Sequence, residues 1–426
     1  MNKVLNRMKK LFIMLAILPV MSMAQTLEEC QHAAERNYPL IRKYDLIAQT
    51  TDLTVSNVGK GWLPKISASA QATYQSDVTA WPDEMKDMLN QMGVELKGLK
   101  KDQYRIGIDI NQTIYDGGVL KNQKEIARQQ GNIQMAENEV NLYAIKKQVN
   151  EMYFGLLLLD EQIRLNENLQ ELLMANERKL SSMCKNGTAA ESDFHSLKAE
   201  RLSVQQEMTE LHSRKSALQT MLSIFCGIEV KNIEKPTAEL TGGNGRPELL
   251  LFDSQLKMME AQEKMLNSNL RPTLSLFASG FYGYPGYNLF EDMYRHAWSL
   301  NGIIGARLTW NVGTLYTRKN DNAKLRLQKD LVENNREVFL FNNNLQQIQQ
   351  NENIERYRKT VSEDDEIIQL RTSVRQAAES KLEHGIIDVN DLVKEINSEN
   401  AAKVRQSMHE IEMLKEIYDL KYLTNK

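Results

Sequence analysis

The sequence predicts a mainly α-helical chain with a transmembrane β-barrel portion, made by duplicating one unit in which a strand hairpin is followed by a long helical hairpin. Three observations predict it: long stretches with almost no proline or glycine, short stretches of strict apolar and polar alternation, and an order of motifs that recurs at a fixed offset. Composition agrees. The 426 residues include only 8 prolines and 21 glycines, with 26% charged residues, which describes a helical protein with a large solvated surface. A net charge of −3 points to no polyanionic partner, and nucleic acid is not expected.

The first alternating stretch, "WLPKISASAQATYQ", puts Ile66, Ala68, Ala70, Ala72 and Tyr74 on one face of a strand at 65–75, and Lys65, Ser67, Ser69, Gln71 and Thr73 on the other. Either a soluble core or lipid must cover the apolar face. "YRIGIDINQTIY" returns as a strand at 104–115, with Tyr104, Ile106, Ile108 and Ile110 sharing a face. A second pair follows at 273–282 and 297–312, where Phe277 and Phe281 interrupt the alternation. About ten residues is the length a tilted strand needs to cross a bilayer, and Tyr104, Tyr115, Trp298 and Trp310 fall near strand ends, where an aromatic belt would lie.

Helical hairpins follow each strand pair, at 119–226 and 315–424. Val119 to Lys185 contains no proline and predicts a helix of roughly 65 residues and about 100 Å. Leu142, Ile145, Val149, Met152, Leu156, Leu159 and Ile163 are spaced alternately three and four apart, a heptad seam. The hairpins break at "CKNGTAAESDF" and "LEHGIIDVNDL".

The duplication is explicit. Pro39, Asp45 and Pro64 are answered by Pro247, Asp253 and Pro272 at one offset, Gly187 by Gly385, and Asp193 by Asp391. The organisation is therefore a first repeat at 25–227, a linker or equatorial segment at 228–246, and a second repeat at 247–426 that opens with a helix at 247–270. The linker "EKPTAELTGGNGRP" is turn-rich and lacks the lysine and hydroxyl residue of a phosphate loop.

Residues 1–24 have the order of a secretory signal peptide: Lys3, Arg7, Lys9 and Lys10, an apolar run, then "SMA". Cys30 lies six residues past that point, so a lipid-modified N-terminal cysteine is not expected. In an oxidising compartment Cys30, Cys184 and Cys226 allow one disulfide and one leftover thiol. The six histidines share no metal-ligand spacing and no catalytic constellation is present, so the expectation is a non-enzyme without cofactor or metal.

Four strands cannot close a barrel, and an edge open to lipid leaves backbone groups unsatisfied. Eight strands is about the smallest membrane barrel, so two copies are the minimum and three give twelve strands. The order of signal peptide, "NYP", "WLPKI", alternating strands, "IYDGG" and a long hairpin with "NGTAAESDF", all duplicated, resembles the TolC-like outer-membrane efflux protein family over essentially the whole mature chain. "LTWNVGTLY" departs from "IYDGG" by lacking the aspartate and paired glycines, and this joint is expected to bend differently.

The resemblance implies a homotrimer in the outer-membrane lipid, with a twelve-stranded barrel continued by a twelve-helix periplasmic tunnel. It implies an exit duct of a tripartite efflux or type I secretion system, passively conducting substrates from an inner-membrane pump and a periplasmic adaptor. A stand-alone porin and a periplasmic coiled-coil scaffold or adaptor are the alternatives. In the family the hairpin tips face the adaptor, here Asn186, Gly187, Thr188, Gly385 and Ile386, and acidic residues of the second hairpin ring the periplasmic aperture, here Asp391. Lys394 stands where the family can carry a second acid, and Asp193 is the matching residue of the first hairpin. Segments Gln75 to Gln103 and Gly283 to His296 are expected to be the outward loops. The mature protein should begin at Gln25; N-terminal sequencing that starts at Met1 or at Cys30 removes the export argument.

Overall fold

The computed structural model describes residues 24–93, 97–237 and 245–424. The expected signal peptide, apart from Ala24, and the centre of the linker lie outside the described residues. In chain order the elements are α1 (Leu27–Asn37), α2 (Ile41–Gly59), β1 (Lys65–Tyr74), α3 (Asp83–Gln91), β2 (Asp102–Tyr115), α4 (Val119–Lys185) and α5 (Glu191–Cys226). They continue with α6 (Pro247–Ser268), β3 (Thr273–Tyr284), α7 (Leu289–Arg295), β4 (Ser299–Thr309), α8 (Thr314–Glu383) and α9 (Val389–Thr424). Contacts divide the chain into two units, one of residues 45–135 and 251–335, the other of the remainder.

The first unit contains the sheet, antiparallel throughout in the order β1-β2-β3-β4. Because side chains alternate with period two, the register decides which residues share a face. Ala68 sits opposite Ile108, Ile108 opposite Gly280 and Gly280 opposite Gly302, while the next row joins Ala70, Ile106, Tyr282 and Leu300. The apolar sets of all four strands therefore fall on one side. At Ile114 a bulge re-aims the chain so that Tyr115 lies opposite Leu274. The two connecting segments pack together: Tyr284, Met293 and Leu99 form a small cluster with Val78 and Trp81, and Tyr284 Oη accepts from the Lys100 N–H at 2.9 Å.

The strand-to-helix joints differ. In the first, the Asp116 carboxylate accepts from the N–H groups of Gly118 (2.8 Å) and Leu120 (2.6 Å), and Gly117 and Gly118 take φ of 70° and 94°. Only glycine holds two consecutive left-handed residues without strain. In the second, no residue between Trp310 and Thr314 has positive φ, and α8 starts on backbone turns from Asn311 to Thr314. The loss of the aspartate and glycine pair thus gives a differently built joint.

In the other unit the core is made by the helical hairpins. Val149 and Tyr153 are fully buried with Leu156, Leu222, Cys226, Ile411 and Leu414. Five seam residues, Leu142, Ile145, Val149, Leu156 and Ile163, are buried, joined by Tyr153, Phe154 and Leu157 on a wider face than the seam alone. Tyr153 Oη lies 2.7 Å from the Gln25 carbonyl and 2.6 Å from the Glu234 carbonyl, which share its one proton, pinning the start of the first repeat to the linker, where Gln25 and Ile233 form a parallel bridge. A second cluster nearer the hairpin tips joins Leu173, Leu180, Leu197, Leu392 and Ile396.

One carboxyl in this unit is out of its ordinary range. Burial pushes Asp419 up to about 6, Lys415 and Lys147 pull it down, and Glu416 and Glu151 add to the rise. A folded-state pKa above the unfolded value of about 4 means that the folded chain holds this proton more tightly. The resulting stabilisation is complete below pH ~4 and is lost as pH rises through about 6. Asp419→Asn should flatten the pH dependence of the thermal midpoint of the detergent-solubilised protein between those values; an unchanged slope would show that Asp419 does not titrate there.

Candidate functional site: the sheet faces and the hairpin tips

Two regions carry the features that the sequence analysis singled out. On the sheet, the apolar face is uncovered: Leu300 and Ile304 are each 83% exposed, and Ile66 68%. Aromatic residues edge this face at both ends. Trp298 packs on Tyr104 (6.0 Å) and Tyr282 (5.3 Å) at one end, and Trp310 Nε1 donates to the Leu270 carbonyl (3.0 Å) at the other. Amphipathic rings at both ends of an exposed apolar band are what a bilayer's two interfaces select.

The opposite face is polar apart from Ile303, and it resolves the two phenylalanines that broke the alternation. Phe281 lies under the Arg105 guanidinium, 3.8 Å from the ring centroid, and Phe277 under Arg307 at 5.0 Å. Each ring lies on a glycine. A Cβ at Gly107 would come within 2.9 Å of Phe281 Cβ, and one at Gly305 within 2.8 Å of Phe277 Cζ. Both rings are thus roofed by charge and floored by backbone, so they leave the face wet. Lys65, Arg105 and Arg307 outnumber Asp109 on this face. Sequence alternation alone missed these pairs; the signal was a cross-strand glycine beside each phenylalanine.

At the hairpin tips the two repeats are built alike. Gly187 and Gly385 take φ of 71° and 70°. Gly187 N–H donates to Cys184 O (3.0 Å) and Thr188 N–H to Met183 O (2.9 Å); Gly385 N–H donates to Leu382 O (2.9 Å) and Ile386 N–H to Lys381 O (2.9 Å). Both are Schellman endings, in which a left-handed glycine lets the chain reverse while satisfying the last helical carbonyls. Asn186, Gly187, Thr188, Gly385 and Ile386 are all exposed, and Lys179 Nζ bridges to Glu383 at 3.0 Å between the hairpins.

The return helices start differently. Asp388 Oδ1 accepts from the Asp391 N–H at 2.9 Å, so Asp388 caps α9. At α5 the equivalent place is Ala190, with no side-chain cap. Asp391 is exposed, Asp193 half-buried, and Asp391 and Lys394 form no ion pair with one another. Asp388 has no acidic counterpart in the first repeat, where Ala190 stands, so the duplication does not point to it.

A third feature is on α8, where Val338, Phe341, Leu345 and Ile348, and again Ile367, Leu370 and Val374, are exposed at spacings of three and four. That is an apolar seam without a partner. The spacing is readable in the sequence, as it is on α4. Among the described residues no group of histidine, cysteine or carboxylate side chains is arranged to hold a metal, and no helix is long and apolar enough to cross a membrane.

Part of the sequence and the fold resemble known proteins. Residues 32–224 match the family model described as outer membrane efflux protein. No curated protein sequence matches. Among solved structures, the outer-membrane channel OprN superposes with a TM-score of 0.67 at 13% identity, covering 93% of this chain and 89% of its own. The outer membrane protein VceC from Vibrio cholerae gives 0.66 at 12%, covering 93% and 95%, and the open-state outer membrane channel MtrE from Neisseria gonorrhoeae gives 0.63 at 13%, covering 93% and 88%. At such identities the likeness is one of fold.

At both tips the glycine Cβ position is open, with nothing within 4 Å, so a substitution there is opposed by φ alone. Gly187→Val and Gly385→Val should each cost about 1–2 kcal/mol, and the asparagine variants less, since asparagine tolerates the left-handed region. Equal thermal midpoints for the valine and asparagine variants would show that the turns relax to another geometry. Residues 32–224 thus resemble the outer membrane efflux protein family, and nearly the whole chain shares the fold of solved outer-membrane channels.

Proposed function

We propose that the chain is the outer-membrane exit duct of a tripartite efflux or type I secretion system, passively conducting cargo handed over by an inner-membrane pump and a periplasmic adaptor. The observation that carries this is the sheet: four strands with one face apolar and exposed, the other polar, and β1 and β4 each left with an unpaired edge. Three copies joined edge to edge close twelve strands with the apolar faces to lipid and the Arg–Phe face to a water-filled lumen. The uncovered seam of α8 supports the same assembly, since helices of neighbouring copies would bury it. The long hairpins then form a twelve-helix tunnel whose tips meet the adaptor.

A stand-alone porin has no use for helices of 67 and 70 residues, and a periplasmic scaffold has no use for an apolar sheet face ringed by aromatic side chains. Heat-resistant trimers in outer-membrane fractions, together with loss of tolerance to pump substrates on deletion, are the expected results. Monomers in the soluble periplasmic fraction would sink the reading. Co-purification with an adaptor and pump separates the duct from a porin.

Asp391 is the proposed aperture residue. Threefold symmetry brings three copies of this exposed carboxylate together, and like charges at close range attract cations and are blocked by polyvalent ones. Capping of α9 by Asp388 leaves the Asp391 carboxylate free of that task. Asp391→Asn should weaken cation selectivity and multivalent-cation block in bilayer conductance, and Asp193→Asn much less. Equal, negligible effects would place the gate elsewhere.

A further inference from the structure

Two of the three cysteines meet in the buried core. Cys30 on α1 is 0% exposed and Cys226, the last residue of α5, is 2% exposed. They belong to one cluster with Leu27, Ala34, Leu222 and Val230. The Cys226 thiol donates to the Cys30 carbonyl at 3.4 Å, so the two side chains meet within one buried cluster. This meeting is held from several sides. The Asn37 side chain donates to the carbonyls of Ile224 (3.1 Å) and Phe225 (3.2 Å), and Gly227 ends α5 in the left-handed region at φ 69°. A Cβ at Gly227 would come within 2.4 Å of the Asn37 side chain, so the glycine lets α1 close down on the end of α5. At the other end of α1 the Thr26 and Glu29 capping box fixes the helix start.

We propose that Cys30 and Cys226 are joined by a disulfide in the exported protein, closing the first repeat into a covalent loop, with Cys184 left as the free thiol. The proposal rests on the export reading, which supplies an oxidising compartment. No metal explains the pair better, since no further histidine, cysteine or carboxylate completes a ligand set among the described residues. Cys184 sits apart at the first hairpin tip, half-buried, with its sulfur 3.3 Å from the Ala190 carbonyl.

The chemistry is thiol–disulfide exchange with a disulfide-bearing oxidant. Before α1 docks, both thiols reach solvent and either can attack first; the route with Cys226 first is one of two equivalent ones. The Cys226 thiolate attacks one sulfur of the oxidant and expels the other as thiolate. Cys30, deprotonated, then attacks the Cys226 sulfur of the mixed disulfide and expels the oxidant's remaining thiolate. Two electrons and two protons leave the chain, and the oxidant ends as a dithiol. Burial sets the order of events: exchange precedes the docking of α1, after which the bond is shielded from reductants. With 196 positions between the two residues, the bond constrains a large loop of the unfolded chain.

The test is made on full-length protein from acid-quenched cell envelopes, denatured and alkylated without reductant, then digested with trypsin. Peptides 25–36 and 216–231 should appear linked, with peptide 180–185 alkylated. Reduction before alkylation should separate and label both. Alkyl groups on 25–36 and 216–231 without reduction, or a link to 180–185, would overturn the proposal. Cys184→Ser should keep the link and Cys30→Ser should leave Cys226 open to alkylation; because the wild-type chain is read directly, a variant that fails to fold does not blunt the test. Fractionation of the same sample keeps the two readings apart: unlinked protein in the outer membrane defeats the disulfide alone, and unlinked protein in the cytosol defeats export as well.

Discussion

The register of the four-stranded sheet is the constraint on which the rest depends. A shift of one residue between any two strands would send half of each row to the other side, placing Ile106 and Leu300 with Asp109 and Arg307. Held as it is, the register makes a band of exposed apolar side chains on one face and a charged face behind it. Such a band is costly in water and favourable in hydrocarbon, at roughly 25 cal/mol per Å² of apolar surface. Backbone groups on β1 and β4 add the second demand, because an unpaired N–H or C=O in lipid costs several kcal/mol. In the proposed duct these two demands would be met by self-association, without any side-chain recognition between copies.

Much of this was legible in the sequence because period-two alternation and three-four spacing are geometric signals. Residues such as Ile66, Ala68 and Ala70 declare a face whatever they pack on, and Val149 and Ile163 declare a helix seam. Contacts between residues distant in sequence were not legible. Phe277 and Phe281 break the alternation when read along β3, and only the pairing of β3 with β2 and β4 reveals that Arg105 and Arg307 roof them. The same applies to Asp388: a cap is a local hydrogen bond, but two acids within four positions leave open which of them makes it until the helix start is fixed.

Duplication explains why some parts of the chain are paired and others are not. The turns that reverse the two hairpins are the same motif to the hydrogen bond, because a left-handed glycine is a simple way to end a long helix and turn back at once. The strand-to-helix joints diverged, since a chain leaving a sheet for a helix needs only that its first amides be satisfied, and Asp116 does with a side chain what the second joint does with backbone turns. Geometry shared by the repeats therefore marks what the proposed assembly would require of both.

Where the repeats differ in capping, the requirement is not symmetric. α9 starts with a capping aspartate and a second, exposed aspartate three residues on, while α5 starts uncapped with Asp193 half-buried. A helix start needs one cap, so the second acid on α9 is surplus to helix stability beyond the few tenths of a kcal/mol that a first-turn charge supplies. Lys394 lies one turn later and does not pair with it. An unpaired exposed acid next to a cap that already suffices is the pattern expected when the charge acts on something outside the chain, and an aperture shared by three copies is the environment that would use it.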